Sequence, residues 1–206
     1  LITGHQRATA ANRYESVEYW NEQWKLRGEE QEREHLRSLP SDFVVQALIG
    51  MMRGLPAVST IVEIGGGLRS CLSVLKAFAP KVWISDIPQC VGFDISDEAQ
   101  MANTRKYLGH QYRVGDVTEG LDQPDDSAEF VYSSHLIEHL ADPYRLIEEQ
   151  LRICKTNGLC VIAAPLHMYH REHRQVLTID AVVGMLKDFA NPVICHVDSH
   201  QTEIVA

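Results

Sequence analysis

One stretch constrains this chain more than any other: a β-branched run that ends in an acid and then three glycines, Thr60-Ile61-Val62-Glu63-Ile64-Gly65-Gly66-Gly67. The residues that follow, Ser70 to Phe78, can form a helix. Strand, tight glycine turn and helix in that order open a nucleotide-binding βαβ unit. Glycine suits the turn because it reaches dihedrals closed to other residues and lets a ligand approach the backbone. The helix start then offers free N–H groups to a polar ligand. A dinucleotide fingerprint asks for G-x-G-x-x-G. Gly65 and Gly67 fill its first two positions, but Ser70 stands at the third. The stretch also reads as a plain glycine-rich βα turn that binds nothing.

The chain has 206 residues, enough for one domain with a real core. Its formal net charge is -9 and no block of Lys and Arg stands out, so nucleic acid and anionic membrane surfaces are poor partners. No apolar run approaches the ~20 residues of a membrane span. The five cysteines are scattered, with no C-x-x-C, which fits reduced thiols in a cytoplasmic protein. No signal peptide is visible.

Residues 1–12 read as a polar arm. From Arg13 to about Arg37 the pattern is helical, with Tyr14, Val17, Trp20 and Trp24 stepping by three and four onto one face. Those aromatics can pack onto the main domain or roof a ligand. Ser41 or Asp42 starts an apolar helix from Phe43 to Met52, stopped by Gly54 and Pro56. Together these segments make an N-terminal helical extension or lid, 1–56, ahead of a main domain, 57–206.

After the first strand, 60–64, and a helix of about 69–79, Lys81 to Asp86 reads as the second strand. A carboxylate about 20 residues past the glycines accepts hydrogen bonds from a ribose. Asp86 follows Gly65 by 21 residues and Asp94 by 29. Spacing favours Asp86, and choosing it avoids a long connection that contains a complete apolar strand. A helix of about Asp97 to Leu108 follows, then a third strand, Gln111 to Asp116, and a fourth, Ala128 to Ser134. A helix starts at Asp142-Pro143 and stops at Lys155-Thr156-Asn157-Gly158, ahead of a fifth strand, 159–165. Thr178 caps a helix to Phe189. Residues 193–197 and 203–206 read as two last strands. Strands alternating with helices give a parallel α/β sheet.

Several of these phrases resemble the class I S-adenosylmethionine (SAM) methyltransferases, and in particular their type-11-like domain. Glu63-Ile64-Gly65-Gly66-Gly67 is similar to the family's E/D-x-G-x-G turn, with Arg69 where many members carry a third glycine. Gly92-Phe93-Asp94-Ile95-Ser96 resembles the family's wording at the end of strand two. Ser133-Ser134-His135-Leu136-Ile137-Glu138-His139-Leu140-Ala141-Asp142-Pro143 resembles the segment after strand four, and Asn157-Gly158 the turn before strand five. The likeness covers about residues 60–165 in the family's order. It implies a Rossmann-like seven-stranded sheet, mostly parallel with an antiparallel terminal hairpin and helices on both faces. It also implies SAM as cofactor, held by Glu63, Gly65, Gly66, Gly67, Asp86, Asp116 and Ser134, with Asp116 toward the adenine amino group.

Methyl transfer from SAM is an in-line displacement, so the enzyme mainly places the acceptor close and in line. A hydroxyl acceptor also gains from a general base, for which histidine is suited near neutral pH. The chain has 10 histidines. Those placed for acceptor chemistry are His135, past strand four, and His167 and His170, past strand five. Each can also be a local packing or solvent-facing residue, and His139 reads as structural. His167, His170 and His173 match no metal motif, so no metal is expected. The expected function is methyl transfer from SAM to an oxygen or nitrogen of a small-molecule acceptor by a cytoplasmic enzyme that can form a homodimer. A catalytically inactive SAM-fold binding or scaffold protein is the alternative. A nicotinamide oxidoreductase is a third reading, and Ser70 and Glu63 count against it.

Overall fold

The structure is a computed structural model that describes residues 16–26, 42–68, 70–72, 74–77, 88–166, 176–189, 196–197 and 203–206. Seven strands form one sheet: β1 (Thr60–Ile64), β2 (Gln89–Asp94), β3 (Gln111–Val114), β4 (Ala128–Ser134), β5 (Cys154–Pro165), β6 (His196–Val197) and β7 (Glu203–Val205). Their order is β3-β2-β1-β4-β5-β7-β6. β1 to β5 are parallel, while β7 runs antiparallel to both β5 and β6. The expected architecture, terminal hairpin included, is the observed one.

Alternation along the strands divides the core, because successive side chains leave a strand on opposite faces. Ile61, Phe130 and Tyr132 join one apolar cluster with Val45, Leu48, Ile49 and Met52 of helix α2 (Phe43–Met52) and with Leu72 and Leu75. Val62, Ile64, Val131 and Ile162 join the other. That second cluster takes in Leu146, Ile147 and Ile153 of α4 (Pro143–Ile153) and Val182 of α5 (Ile179–Lys187). Helices therefore cover both faces. Two further helices are α1 (Val17–Leu26) and α3 (Asp97–Lys106).

The caps follow the sequence. Asp42 accepts from the Val44 and Val45 amides at α2, Asp142 from Tyr144 at α4 and Thr178 from Ala181 at α5. Ser96 caps α3.

Two boundaries differ from expectation. The strand that pairs with β1 is Gln89–Asp94, in register from Thr60↔Gln89 to Ile64↔Phe93, and it is not the 81–86 stretch. Lys81-Val82-Trp83-Ile84 has an equally strand-like composition, and composition cannot say which apolar run meets β1. The last strand before the hairpin starts early: β5 begins at Cys154, directly after α4, and its pairing with β4 shifts register between Ala128 and Phe130. Asn157, expected to end the helix, instead sits in this irregular part of β5 with a left-handed φ of 68°. Among the described residues, no helix is long and apolar enough to cross a membrane.

Candidate active site

Parallel strands point their carboxyl ends to one edge, and the glycine turn after β1 lies there, next to the ends of β2 and β4. Gly65 has φ 76° and donates its N–H to the Phe93 carbonyl at 2.7 Å. Gly67 has φ 52°, donates to Asp94 Oδ2 at 2.8 Å and accepts from Asn103 Nδ2 at 2.6 Å. Its Cβ position falls 2.6 Å from the Trp24 ring, so a side chain there is barred both by φ and by space. At Gly65 the same position meets Leu136, which brings the segment after β4 against the turn.

Glu63, opposite Tyr132 in the β1–β4 register, is buried. Its Oε1 accepts from the Tyr132 hydroxyl at 2.7 Å and from the Cys71 amide at 2.9 Å. Burial raises its pKa above the usual carboxylate range, and these hydrogen bonds oppose the rise. One oxygen of Glu63 thus ties the strand to the segment after the turn, whereas Oε2 has no hydrogen-bond partner among the described residues.

Asp94 ends β2. Its carboxylate accepts from the Gly67 amide and, at 2.9 Å, from the Ser96 amide. Burial pushes it up to about 6, against those two bonds. Asp86 lies outside the described residues, so the acid that the structure places at the end of strand two is Asp94. Asp116 follows β3; its Oδ1 accepts from the Thr118 amide at 2.8 Å and hydroxyl at 2.7 Å. Ser134 is half-buried at the end of β4 and pairs with Ala163.

His135 follows Ser134 with a left-handed φ of 53°, while its amide still donates to the Ala163 carbonyl at 2.9 Å. A non-glycine residue held there is strained, and such strain collects at functional sites. Its side chain is 44% exposed. Nε2 lies 3.4 Å from Glu203 Oε1 and Nδ1 lies 3.8 Å from Glu138 Oε1. Burial lowers the imidazole pKa, but Glu203 and then Glu138 more than offset this, and it ends above its ordinary value. Glu138 is itself buried, and burial pushes it up to about 7. His139 Nε2 is 3.7 Å from the same Glu138 Oε1. Glu138 is not among the residues expected at the site; its one signal in the sequence is an acid set inside the apolar run Leu136-Ile137-Glu138-His139-Leu140. His167 and His170 lie outside the described residues. Among the described residues no group of three or more His, Cys, Asp and Glu can hold a metal ion.

α1 spans this edge. Trp24 rests over Gly67, stacks on Trp20 at 5.5 Å between ring centres, and Trp20 meets His139 edge-on at 5.1 Å. The helix is fastened to the start of α3. Asn21 donates to Asp97 and accepts from the Ser96 hydroxyl, and Lys25 pairs with Glu98 at 2.9 Å. These contacts pack Trp20 and Trp24 onto the main domain, and Tyr14 lies outside the described residues.

A doubly wound sheet whose carboxyl edge carries a left-handed glycine turn, with an acid after each of β2 and β3, defines a nucleotide-cofactor protein. The family model for the methyltransferase domain matches residues 30–201, and the chain belongs to that family. SAM is accordingly its cofactor. The fold is shared with solved structures at low identity. A SAM-dependent methyltransferase from Mesorhizobium loti is 16% identical, with 81% of this chain and 97% of that one covered and a TM-score of 0.59. One from Aquifex aeolicus is 16% identical, covering 76% and 85%, with a TM-score of 0.57. A chain in the complex of the Haloferax volcanii Trm112 methyltransferase activator with a methyltransferase is 21% identical, covering 76% and 69%, with a TM-score of 0.57. No curated protein matches the chain.

The residues present fit the cofactor. Gly65 and Gly66 of the turn are half-buried, with side-chain positions that Leu136 and Glu63 close, and Asp94 at the end of β2 and Asp116 past β3 are carboxylates of the kind that accept from ribose and adenine donors.

Proposed function

We propose that the chain methylates an oxygen or nitrogen of a small-molecule acceptor, with His135 as general base and residues 1–56 contributing a roof over the site. When bound, SAM supplies a methyl group on a positively charged sulfur, which keeps the electron pair of the broken bond. The protein's own part is to hold the acceptor in line and remove its proton. Asp94 is the residue we assign to the ribose hydroxyls, Asp116 to the adenine amino group, and Glu63 with Gly65 to Gly67 to the cradle of the amino-acid end.

The observation that carries this reading is the position of His135. It is an imidazole open to solvent at the end of β4, and the next residue, Leu136, packs against Gly65. The His135 imidazole would take the acceptor's proton, and the Glu203 and Glu138 carboxylates beside it would stabilise the resulting charge. A small acceptor is favoured by the acidic balance of the chain, which repels nucleic acid.

The test is labelled-methyl transfer to a panel of small phenols, carboxylic acids and amines, once calorimetry has established SAM binding. His135→Ala should reduce turnover by roughly 10²–10⁴ while SAM affinity holds. Full turnover in His135→Ala overturns the assignment of the base.

A further inference from the structure

His135, Glu138, His139 and Glu203 form a chain in which acids and imidazoles alternate. Glu203 Oε1 stands 3.4 Å from one nitrogen of His135, Glu138 Oε1 stands 3.8 Å from the other, and His139 Nε2 approaches that same Glu138 oxygen at 3.7 Å. Glu138 is 1% exposed, and neither of its oxygens has a hydrogen-bond partner within the described residues. A buried carboxylate left in that condition costs stability, so its retention calls for an explanation. Its place supplies one. It lies three residues beyond His135, in the 3-10 turn Ile137–His139, on rigid backbone between β4 and α4.

We propose that Glu138 is a positioning residue for His135: its carboxylate, 3.8 Å from Nδ1 here, closes to take the Nδ1–H when the site is filled and so fixes the ring with Nε2 turned to the acceptor. Histidine has two neutral tautomers, and a hydrogen bond at one nitrogen decides which atom is basic. With Nδ1–H held, the lone pair lies on Nε2. When the acceptor's proton arrives there, Glu203 is within reach to accept from the new N–H. The charged and titratable groups that face His135 are Glu138 from the 3-10 turn, Glu203 from β7 and Asp42 from the start of α2. Glu138 faces His139 as well. The proposal rests on the reading of His135 as base.

The experiment needs no acceptor. The pH titration of ring ¹⁵N and ¹³C signals is followed by NMR in histidine-labelled protein, for the wild type, Glu138→Gln and Glu203→Gln. In wild-type protein the neutral ring of His135 should be the Nδ1–H tautomer. Glu138→Gln removes a negative charge beside the ring, so the His135 midpoint should move to lower pH and the tautomer preference should weaken. Glu203→Gln should lower the midpoint and keep the tautomer. If Glu138→Gln does not fold, Glu138→Asp retains the charge one methylene further back and should give a smaller shift of the same sign. A His135 midpoint and tautomer unmoved in the folded variant overturn the proposal, as does a shift confined to His139. The proposed base fails by a different result, full methyl transfer by His135→Ala, so the two failures are separable.

Discussion

The Tyr132 hydroxyl donates to Glu63 Oε1 at 2.7 Å, from strand β4 to strand β1, beneath the glycine turn. The two residues are opposite one another in the parallel register, and both face the cluster that holds Ile61 and Phe130. The bond therefore follows from strand parity, and it links the strand before the glycine turn to the strand that leads into His135. Tyr132→Phe keeps the ring and removes one donor to Glu63, leaving the Ser70 hydroxyl and the Cys71 amide. Unfolding in urea should show a loss of about 1–3 kcal/mol, the range for a buried hydrogen bond with an acid. SAM affinity should fall as well, because the turn loses one of its ties. An unchanged urea midpoint would mean that Glu63 is held by its other contacts.

The acid that binds ribose can be assigned by comparing two variants. Asp94 ends the strand beside β1 and is fixed by the Gly67 and Ser96 amides. Asp94→Ala removes the brace on the turn and, on the proposed assignment, a ribose contact. SAM binding measured by calorimetry should weaken by roughly 100-fold, equivalent to one or two charge-assisted hydrogen bonds. Asp86→Ala should bind as the wild type does. The opposite pattern would return the role to Asp86.

The choice between these acids shows where sequence is informative. The order of elements, the glycine turn, the caps Asp42, Asp142 and Thr178, and the terminal hairpin were legible, because each rests on a local preference of the backbone. The partner of β1 was not. Lys81-Val82-Trp83-Ile84 and Gln89-Cys90-Val91-Gly92-Phe93 are both strand-like, and only long-range pairing separates them. A spacing rule of about 20 residues points to Asp86, whereas Asp94, which ends the strand paired with β1, follows Gly65 by 29 residues. Glu138 was missed for a related reason. An acid in an apolar run could face either solvent or core, and only the fold shows that it is buried between two histidines.

Gly67 and Trp24 should behave as a coupled pair. Gly67→Ala places a Cβ in the left-handed region, a cost of roughly 1–2 kcal/mol, and drives it into the indole. Trp24→Ala removes the clash and leaves the backbone cost. In a double-mutant cycle the two losses should sum to more than the double variant shows. Tryptophan emission in Gly67→Ala should move to the red as α1 is displaced. Strictly additive losses would mean that Trp24 does not rest on the turn in solution.

Asp94 also sets a pH dependence of stability. Burial raises its pKa from 3.8 to about 6 in the folded chain. The native state therefore binds a proton that the unfolded state has already released between those values. Stability must fall as pH rises through that window, and it levels off above about 6. For a shift of this size the loss is on the order of 3 kcal/mol. Glu63 and Glu138, also raised by burial, act in the same direction, so the comparison has to be made with a variant in which only one group is changed. Asp94→Asn cannot ionise. Between pH 4 and pH 6.5 the wild type should lose urea stability more steeply than Asp94→Asn, and above pH 6.5 the two curves should run parallel. Parallel curves across the whole range would place the Asp94 carboxylate in contact with water.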